Sequence, residues 1–532
     1  MLVWIWLGCL VAALFLYMWQ AYGFFKRRGV KTLPIIPPFG TIAGVLLQQE
    51  HISVQVTRAY RKFSDQRFFG QFQVTKPIVL VRDLETIKKI VVKDFEHFLD
   101  HNTFIREEND PIFGRNLFSL RGQEWKDMRS TLSPAFTSSK MKTMLPLIVE
   151  VGDQMILSLN KKIENSKHDS LEVDVKDLMT RYANDVIASC AFGLKVNSHM
   201  DKDNQFYATG KIAAAFDFRA ILIIFALNSF PTLSKIFKFT LFPESVQNFF
   251  RTLVTETMQN RDLKHIIRPD MIHLLMEAKK GKLSYDEKSS HDSAGFATVE
   301  ESSVGQKAIN RVWSDDDLCA QAVLFFVAGF ETVSAAMSFL LYELAINPDV
   351  QEKLYQEIRD NENKNHGTFD YNSVQNMVYM DMVVSETLRH WAPVATLDRH
   401  CTKDYNLGKP NDKATEDYVI RKGDSLQIPV WPIHHDPEYY PNPDKFDPER
   451  FSEENKHKIR PFTYMPFGLG PRNCIGSRFA LCEVKVMAYQ LLNSFEVLPS
   501  KRTPIPITLS PSTFSLRVKG GHWMLFKPRK VM

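Results

Sequence analysis

The sequence predicts a mainly α fold with a small β region, preceded by one N-terminal membrane-spanning helix. Three observations carry this. Residues 1–25 contain none of the chain's 66 Lys and Arg or 61 Asp and Glu side chains. From Ser314 a capped and almost wholly apolar run continues without a proline as far as Pro348. The clearest break from helical periodicity is residues 69–83, FGQFQVTKPIVLVRD, which alternate, are rich in β-branched side chains and read as a hairpin.

Taken in chain order, a helix over 2–19 or slightly beyond spans roughly 30 Å, the thickness of a bilayer core. Lys26, Arg27, Arg28 and Lys31 follow it and the first acid is Glu50, so the positive-inside rule puts everything after residue 25 on the cytoplasmic side. A cleaved signal peptide would need a charged n-region and an Ala-x-Ala site. A mitochondrial presequence would be amphipathic and rich in Arg and Ser. Neither pattern is present. The chain therefore divides into an anchor (1–25), a basic, proline-rich connector (26–44) and one catalytic body (45–532). Pro34, Pro37, Pro38 and Gly40 stiffen the connector, which would hold the body at a defined angle to the membrane. A polar, Ser-rich segment at 279–310 reads as a long surface loop.

Helical periodicity is present at 124–131, 147–163 and 350–361, the second starting directly after Pro146, a residue tolerated at a helix start. Ser314 followed by Asp315, Asp316 and Asp317 places a cap and three acids where free amides favour them. The helix behind them could run about 30 residues, roughly 45 Å. Being apolar on nearly every face, it must cross the centre of the body.

Composition removes several function classes. Of 532 residues, 44% are hydrophobic and 24% charged, the balance of a folded globular chain rather than a disordered one. With 23 Gly and 27 Pro in no period, a collagenous chain is excluded. Six cysteines without a CxxC pair exclude a disulfide scaffold and fit a reducing compartment. A net charge of +5 implies no nucleic-acid partner.

The strongest chemical signal is PFGLGPRNCIG at 466–476. Two glycines and a proline ahead of Cys474 force a tight turn that presents one sulfur beside free backbone amides. Those amides, Arg472 and the N-terminus of a helix starting near residue 477 would all favour a thiolate. A lone cysteine in a loop is ordinarily inert. Here Phe467, Gly470, Arg472, Cys474 and Gly476 jointly satisfy FxxGxRxCxG.

On these residues the chain resembles the cytochrome P450 superfamily of haem-thiolate monooxygenases over essentially its whole length. It is most like animal microsomal detoxification members, those of insects in particular. The resemblance implies the cytochrome P450 fold and haem b, with Cys474 as the axial thiolate ligand of its iron and Phe467 packed beside the sulfur. On the long helix, the segment Ala328, Gly329, Phe330, Glu331, Thr332 resembles the oxygen-activation motif. There Gly329 would let the backbone approach a flat macrocycle, and Thr332 would bond back to the Ala328 carbonyl, opening a groove. Proton delivery would fall to Thr332 with Glu331 assisting. Taken alone, such a threonine is an ordinary back-bonded helix residue.

Glu386 and Arg389 form an ExxR pair on one helical face, and Arg450 would complete a structural network that fixes the cysteine loop. Trp125 and Arg129 stand one turn apart; with Arg399 and Arg472 they are the residues the resemblance assigns to the haem propionates. It also suggests pocket walls at Phe104, Phe113, Phe325, Phe326, Val394, Thr513 and Phe514. Residues 211–243 fit either a core helix or a stretch that dips into lipid. No G-x-G-x-x-G is present, so electrons must come from a partner. The family implies NADPH–cytochrome P450 reductase, with cytochrome b5 as a further donor. Lys126, Lys140, Lys142, Lys456, Lys458 and Arg460 would form its docking face. The resemblance points to an endoplasmic-reticulum enzyme, its catalytic domain cytoplasmic, that inserts one atom of O2 into a lipophilic xenobiotic or endogenous hormone or lipid. The rivals are a haem-thiolate isomerase or dehydratase acting on peroxides without a reductase, and a non-catalytic haem gas binder.

Overall fold

The structure, a computed structural model, describes residues 2–103, 107, 110–166, 168–201, 203–214, 223, 226–227, 240–281, 295–305, 311–365, 369–513 and 515–529. Phe104, Phe514, most of 211–243 and most of the Ser-rich segment lie outside the described residues.

The N-terminal helix runs Leu2–Tyr22. Trp4, Trp6 and Trp19 are each more than 70% exposed, so its apolar surface has no protein partner over most of its length. By length and composition it can cross a bilayer. The segment after it is more than a spacer. Phe25, Val30 and Leu33 are buried in the body, and Thr32 and Gly40 form β-bridges with Gly70 and Gln73.

Strands among the described residues are β1 (Phe68–Gln73), β2 (Lys76–Val81), β3 (Leu171–Asp174), β4 (Leu397–His400), β5 (Tyr405–Asn406), β6 (Val419–Ile420), β7 (Ser425–Ile428), β8 (Phe495–Pro499) and β9 (Trp523–Pro528). The hairpin β1–β2 is antiparallel, with Phe68 opposite Val81. It continues through parallel β7 to antiparallel β4, where Arg399 pairs with Leu426. A second sheet has the order β3-β9-β8, and β5 pairs with β6.

The central helix runs Asp315–Ile346. A reciprocal cap starts it: the Ser314 hydroxyl accepts from the Asp317 amide at 3.1 Å, and the Asp317 carboxylate accepts from the Ser314 amide at 2.9 Å. Most of its residues are buried, and its main neighbour is the helix Val175–Cys190.

Two expectations change. The helix foreseen from residue 147 runs Ser138–Ser166, with Pro146 inside it. Met141, Met144, Leu145 and Ile148 are buried on both sides of the proline, and their packing offsets the one hydrogen bond proline removes. Residues 295–305 are not simply surface loop either, because Ala297 and Val304 are buried and Glu301 reaches a buried arginine.

Candidate active site

One cavity of about 960 Å³ separates the turn carrying Cys474 from the central helix. Cys474, Phe467, Ala328, Gly329 and Thr332 line it together. The sulfur is open to this interior space although its loop is deep in the chain. Gly468 and Gly470 have φ of +76° and +69°, and a Cβ at Gly470 would overlap the Val91 carbonyl. The turn closes with the Cys474 amide donating to the Phe467 carbonyl at 2.8 Å, and the helix Ser477–Ser494 begins three residues later.

Burial pushes the Cys474 thiol up from its ordinary value, opposed by the Gly476 amide and the charge of Arg129. Arg472 is turned elsewhere. Its guanidinium donates to the carbonyls of Leu99 (2.7 Å) and Leu120 (2.9 Å), and lies 3.9 Å from the Trp125 ring centre. Metal coordination overcomes such a burial penalty by deprotonating the thiol outright.

On the central helix the Thr332 hydroxyl donates to the Ala328 carbonyl at 2.6 Å, and both residues face the cavity. The helix stays α-helical through this point, so the groove comes from small side chains and a shared carbonyl rather than from a break. A Cβ at Gly329 would lie 3.1 Å from Ile187 Cδ1, so this glycine also serves helix packing. Glu331 is on the other side. Its carboxylate accepts from Arg517 at 3.2 and 3.3 Å and lies 3.4 Å from Lys176 Nζ, and it is not among the described cavity-lining residues. Thr332 and Val333 line the cavity, whereas the Glu331 side chain is held behind the helix by Arg517 and Lys176.

The same geometry sorts the expected walls. Phe325 and Val394 line the cavity. Phe326 instead packs on Phe250 and Phe206, ring centres 5.0 and 5.3 Å away, and Phe113 on Phe242 at 5.1 Å. Among the described residues neither of these nor Thr513 is a wall.

Trp125, Arg129, Arg399 and Arg472 all border the cavity. Arg129 donates to Glu301 (2.6 Å) and to both oxygens of Asn473 (2.7 Å each). Arg399 donates to the carbonyls of Asp398 (2.7 Å) and Leu469 (3.2 Å). His101, a residue that the sequence reading missed, also lines the cavity and contacts the Asp398 carboxylate at 3.0 Å. Burial lowers the pKa of Arg399 and Arg472, a penalty that an acid-bearing ligand beside them would relieve. A large apolar slot with one open sulfur on its wall and buried guanidinium groups at its margin fits haem b.

Behind the cysteine turn, Glu386 and Arg389 pair at 2.7 and 2.9 Å, both fully buried, and Arg450 lies 3.4 Å from Glu386. Arg389 also donates to the carbonyls of His434 (2.8 Å) and Pro443 (2.9 Å). His434, likewise absent from the sequence reading, contacts the Arg389 carbonyl through Nδ1 (3.1 Å) and accepts the Met465 amide at Nε2 (3.0 Å). Burial lowers its pKa to about 3, so the ring is neutral, with Nδ1 donating. On the expected docking face, Glu96 takes Lys126, Glu453 takes Lys456 and Asn455 takes Lys458, each at 2.7 Å, and Arg460 lies 3.6 Å from Glu438. Lys142 is exposed on the helix Ser138–Ser166, and Lys140 is half-buried there.

The family model described as Cytochrome P450 matches residues 34–525. Cytochrome P450 9e2 of Blattella germanica is 43% identical, covering 99% of this chain and 98% of its own length. Probable cytochrome P450 9f2 of Drosophila melanogaster is 41% identical over 97% of each chain. Cytochrome P450 6j1 of Blattella germanica is 36% identical, over 96% of this chain and 94% of its own.

Proposed function

From its membership of the cytochrome P450 family, the haem b monooxygenases, we propose that this chain inserts one atom of O2 into a lipophilic small molecule, xenobiotic or endogenous hormone or lipid. NADPH would supply the electrons through a separate reductase, with cytochrome b5 as a further donor. The Leu2–Tyr22 helix would anchor it in the endoplasmic reticulum with the body in the cytoplasm. The observation that carries this reading is the placing of Cys474 and Thr332 on one cavity.

In this reading Cys474 holds haem iron. Trp125, Arg129, Arg399 and Arg472 hold the propionates, a role that His101 would share. When bound, haem supplies the redox and oxygen chemistry. The chain's own residues do the rest. Phe325, Val394 and Leu324 exclude bulk water from an apolar space. The Thr332 hydroxyl, fixed by the Ala328 carbonyl on the cavity side of the central helix, would hold a proton at Oγ1 for the reaction. Glu331, between Arg517 and Lys176, can exchange protons with that hydroxyl only after leaving its ion pairs. Exposed Lys142 and the neighbouring basic residues would meet an acidic reductase surface.

The test is turnover of lipophilic probes by the full chain in vesicles, with and without NADPH and reductase. Product that requires both supports the proposal. Full activity on peroxides without either would assign the isomerase or dehydratase reading, and no product would leave the gas binder.

A further inference from the structure

The N-terminal helix is fastened to the body at its end. Phe25 is fully buried against β1; a Cβ at Gly70 would come within 2.4 Å of its ring. Phe25 and Tyr22 pack on Phe72 with ring centres 5.2 and 5.4 Å apart, and the Tyr22 hydroxyl donates to the Pro38 carbonyl at 3.0 Å. Arg27 folds back to donate to the Gln20 carbonyl at 2.7 Å. These contacts fix both the direction and the rotation of the helix against the β1–β2 hairpin.

Farther into the helix, the Tyr17 hydroxyl lies 3.4 Å from Thr75 Oγ1, at the hairpin tip. Tyr17 and Thr75 line the same cavity as Cys474, together with Val74, Ile42 and Leu46. Neighbouring Phe15, Leu16 and Trp19 are 61–71% exposed on the helix surface. Tyr17 stands nine residues before Lys26, the first cation. At about 1.5 Å per residue that is about 13 Å along the helix axis, within the stretch that meets hydrocarbon.

We infer that the membrane anchor forms one wall of the cavity's mouth, and that the Tyr17–Thr75 contact is the portal through which lipophilic substrate passes from the bilayer to the haem site. This rests on the proposed function, since it needs both haem and a membrane. It adds that part of the substrate discrimination resides in the transmembrane helix: molecules partitioned into lipid reach the site past Tyr17, whereas small water-soluble ligands need not.

The experiment uses the full-length holoenzyme in phosphatidylcholine vesicles. Two iron-binding probes are compared: 1-dodecylimidazole preloaded in the lipid, and imidazole added from water. The haem absorbance shift gives each association rate, so catalysis is not needed. Tyr17→Ala is expected to raise the dodecylimidazole rate by about three-fold or more while leaving imidazole unchanged. Tyr17→Phe, which keeps the ring and loses only the hydroxyl, is expected to shift it in the same direction by less. An unchanged dodecylimidazole rate in both variants, or equal changes for both probes, would overturn the portal. A wild-type protein that shows no shift with imidazole, or fails to float with the vesicles, would instead overturn the haem or anchor reading.

Discussion

His434 Nε2 accepts the backbone amide of Met465 at 3.0 Å, tying the start of the cysteine turn to the helix Val378–His390, whose Arg389 carbonyl meets the other ring nitrogen. The Glu386–Arg389 pair and the Cys474 loop are thus joined by one neutral imidazole in a fully buried position. Replacing His434 by Ala leaves a buried amide and a buried carbonyl without partners, each costing about 1–3 kcal/mol. The expected result is a lower urea midpoint and a partial loss of the thiolate-type carbon monoxide spectrum. Gln, which offers both a donor and an acceptor, should recover part of both.

Glu386→Ala should be more damaging. It strands Arg389 as an uncompensated charge in a fully buried site, at a cost of about 3–5 kcal/mol. Little haem-containing protein should be recovered, and thermal unfolding of what remains should show the loss. Haem content and melting temperature equal to wild type would remove the network from the account.

Thr332→Ala removes the hydroxyl that faces the cavity and its 2.6 Å bond to Ala328. Haem content should be intact, while product per NADPH falls by about ten-fold or more and hydrogen peroxide is released instead. Arg517→Ala, which removes one of the two ion-pair partners of Glu331, should change product per NADPH and leave the carbon monoxide spectrum as it is.

Glu343 gives a pH dependence. Its carboxyl is buried, bonded by the Trp391 indole N–H at 2.7 Å, and pushed up from 4.5 to about 7 by burial. The folded chain therefore holds this proton more tightly than the unfolded one. Its contribution is fully present below about pH 4.5, declines as pH rises and is gone above about 7, a change of about 3 kcal/mol at most. Glu343→Gln should unfold at higher urea than wild type at pH 8, and the gap should narrow toward pH 5.

Much of this was legible in the sequence because local rules govern it. The Ser314 cap, the Thr332 back-bond, the 69–83 hairpin and the tight turn before Cys474 all depend on residues within a few positions of one another. What was not legible depends on long-range packing. Glu331 was expected to serve the cavity, but its partner Arg517 is 186 residues away. Arg472 was placed beside the sulfur by sequence adjacency, yet it turns toward Leu99 and Leu120. Phe326 was paired with Phe325 as a wall, and helical rotation separates them. His434 and His101 act through contacts 31 and 297 residues distant, for which no short spacing gives a signal.

The most direct test of the central claim is the carbon monoxide difference spectrum of the reduced full-length protein beside that of Cys474→Ser. The account predicts the red-shifted band of a thiolate-ligated haem in the wild type and its absence in the variant. A Cys474→Ser protein that retains haem and the same band would contradict it.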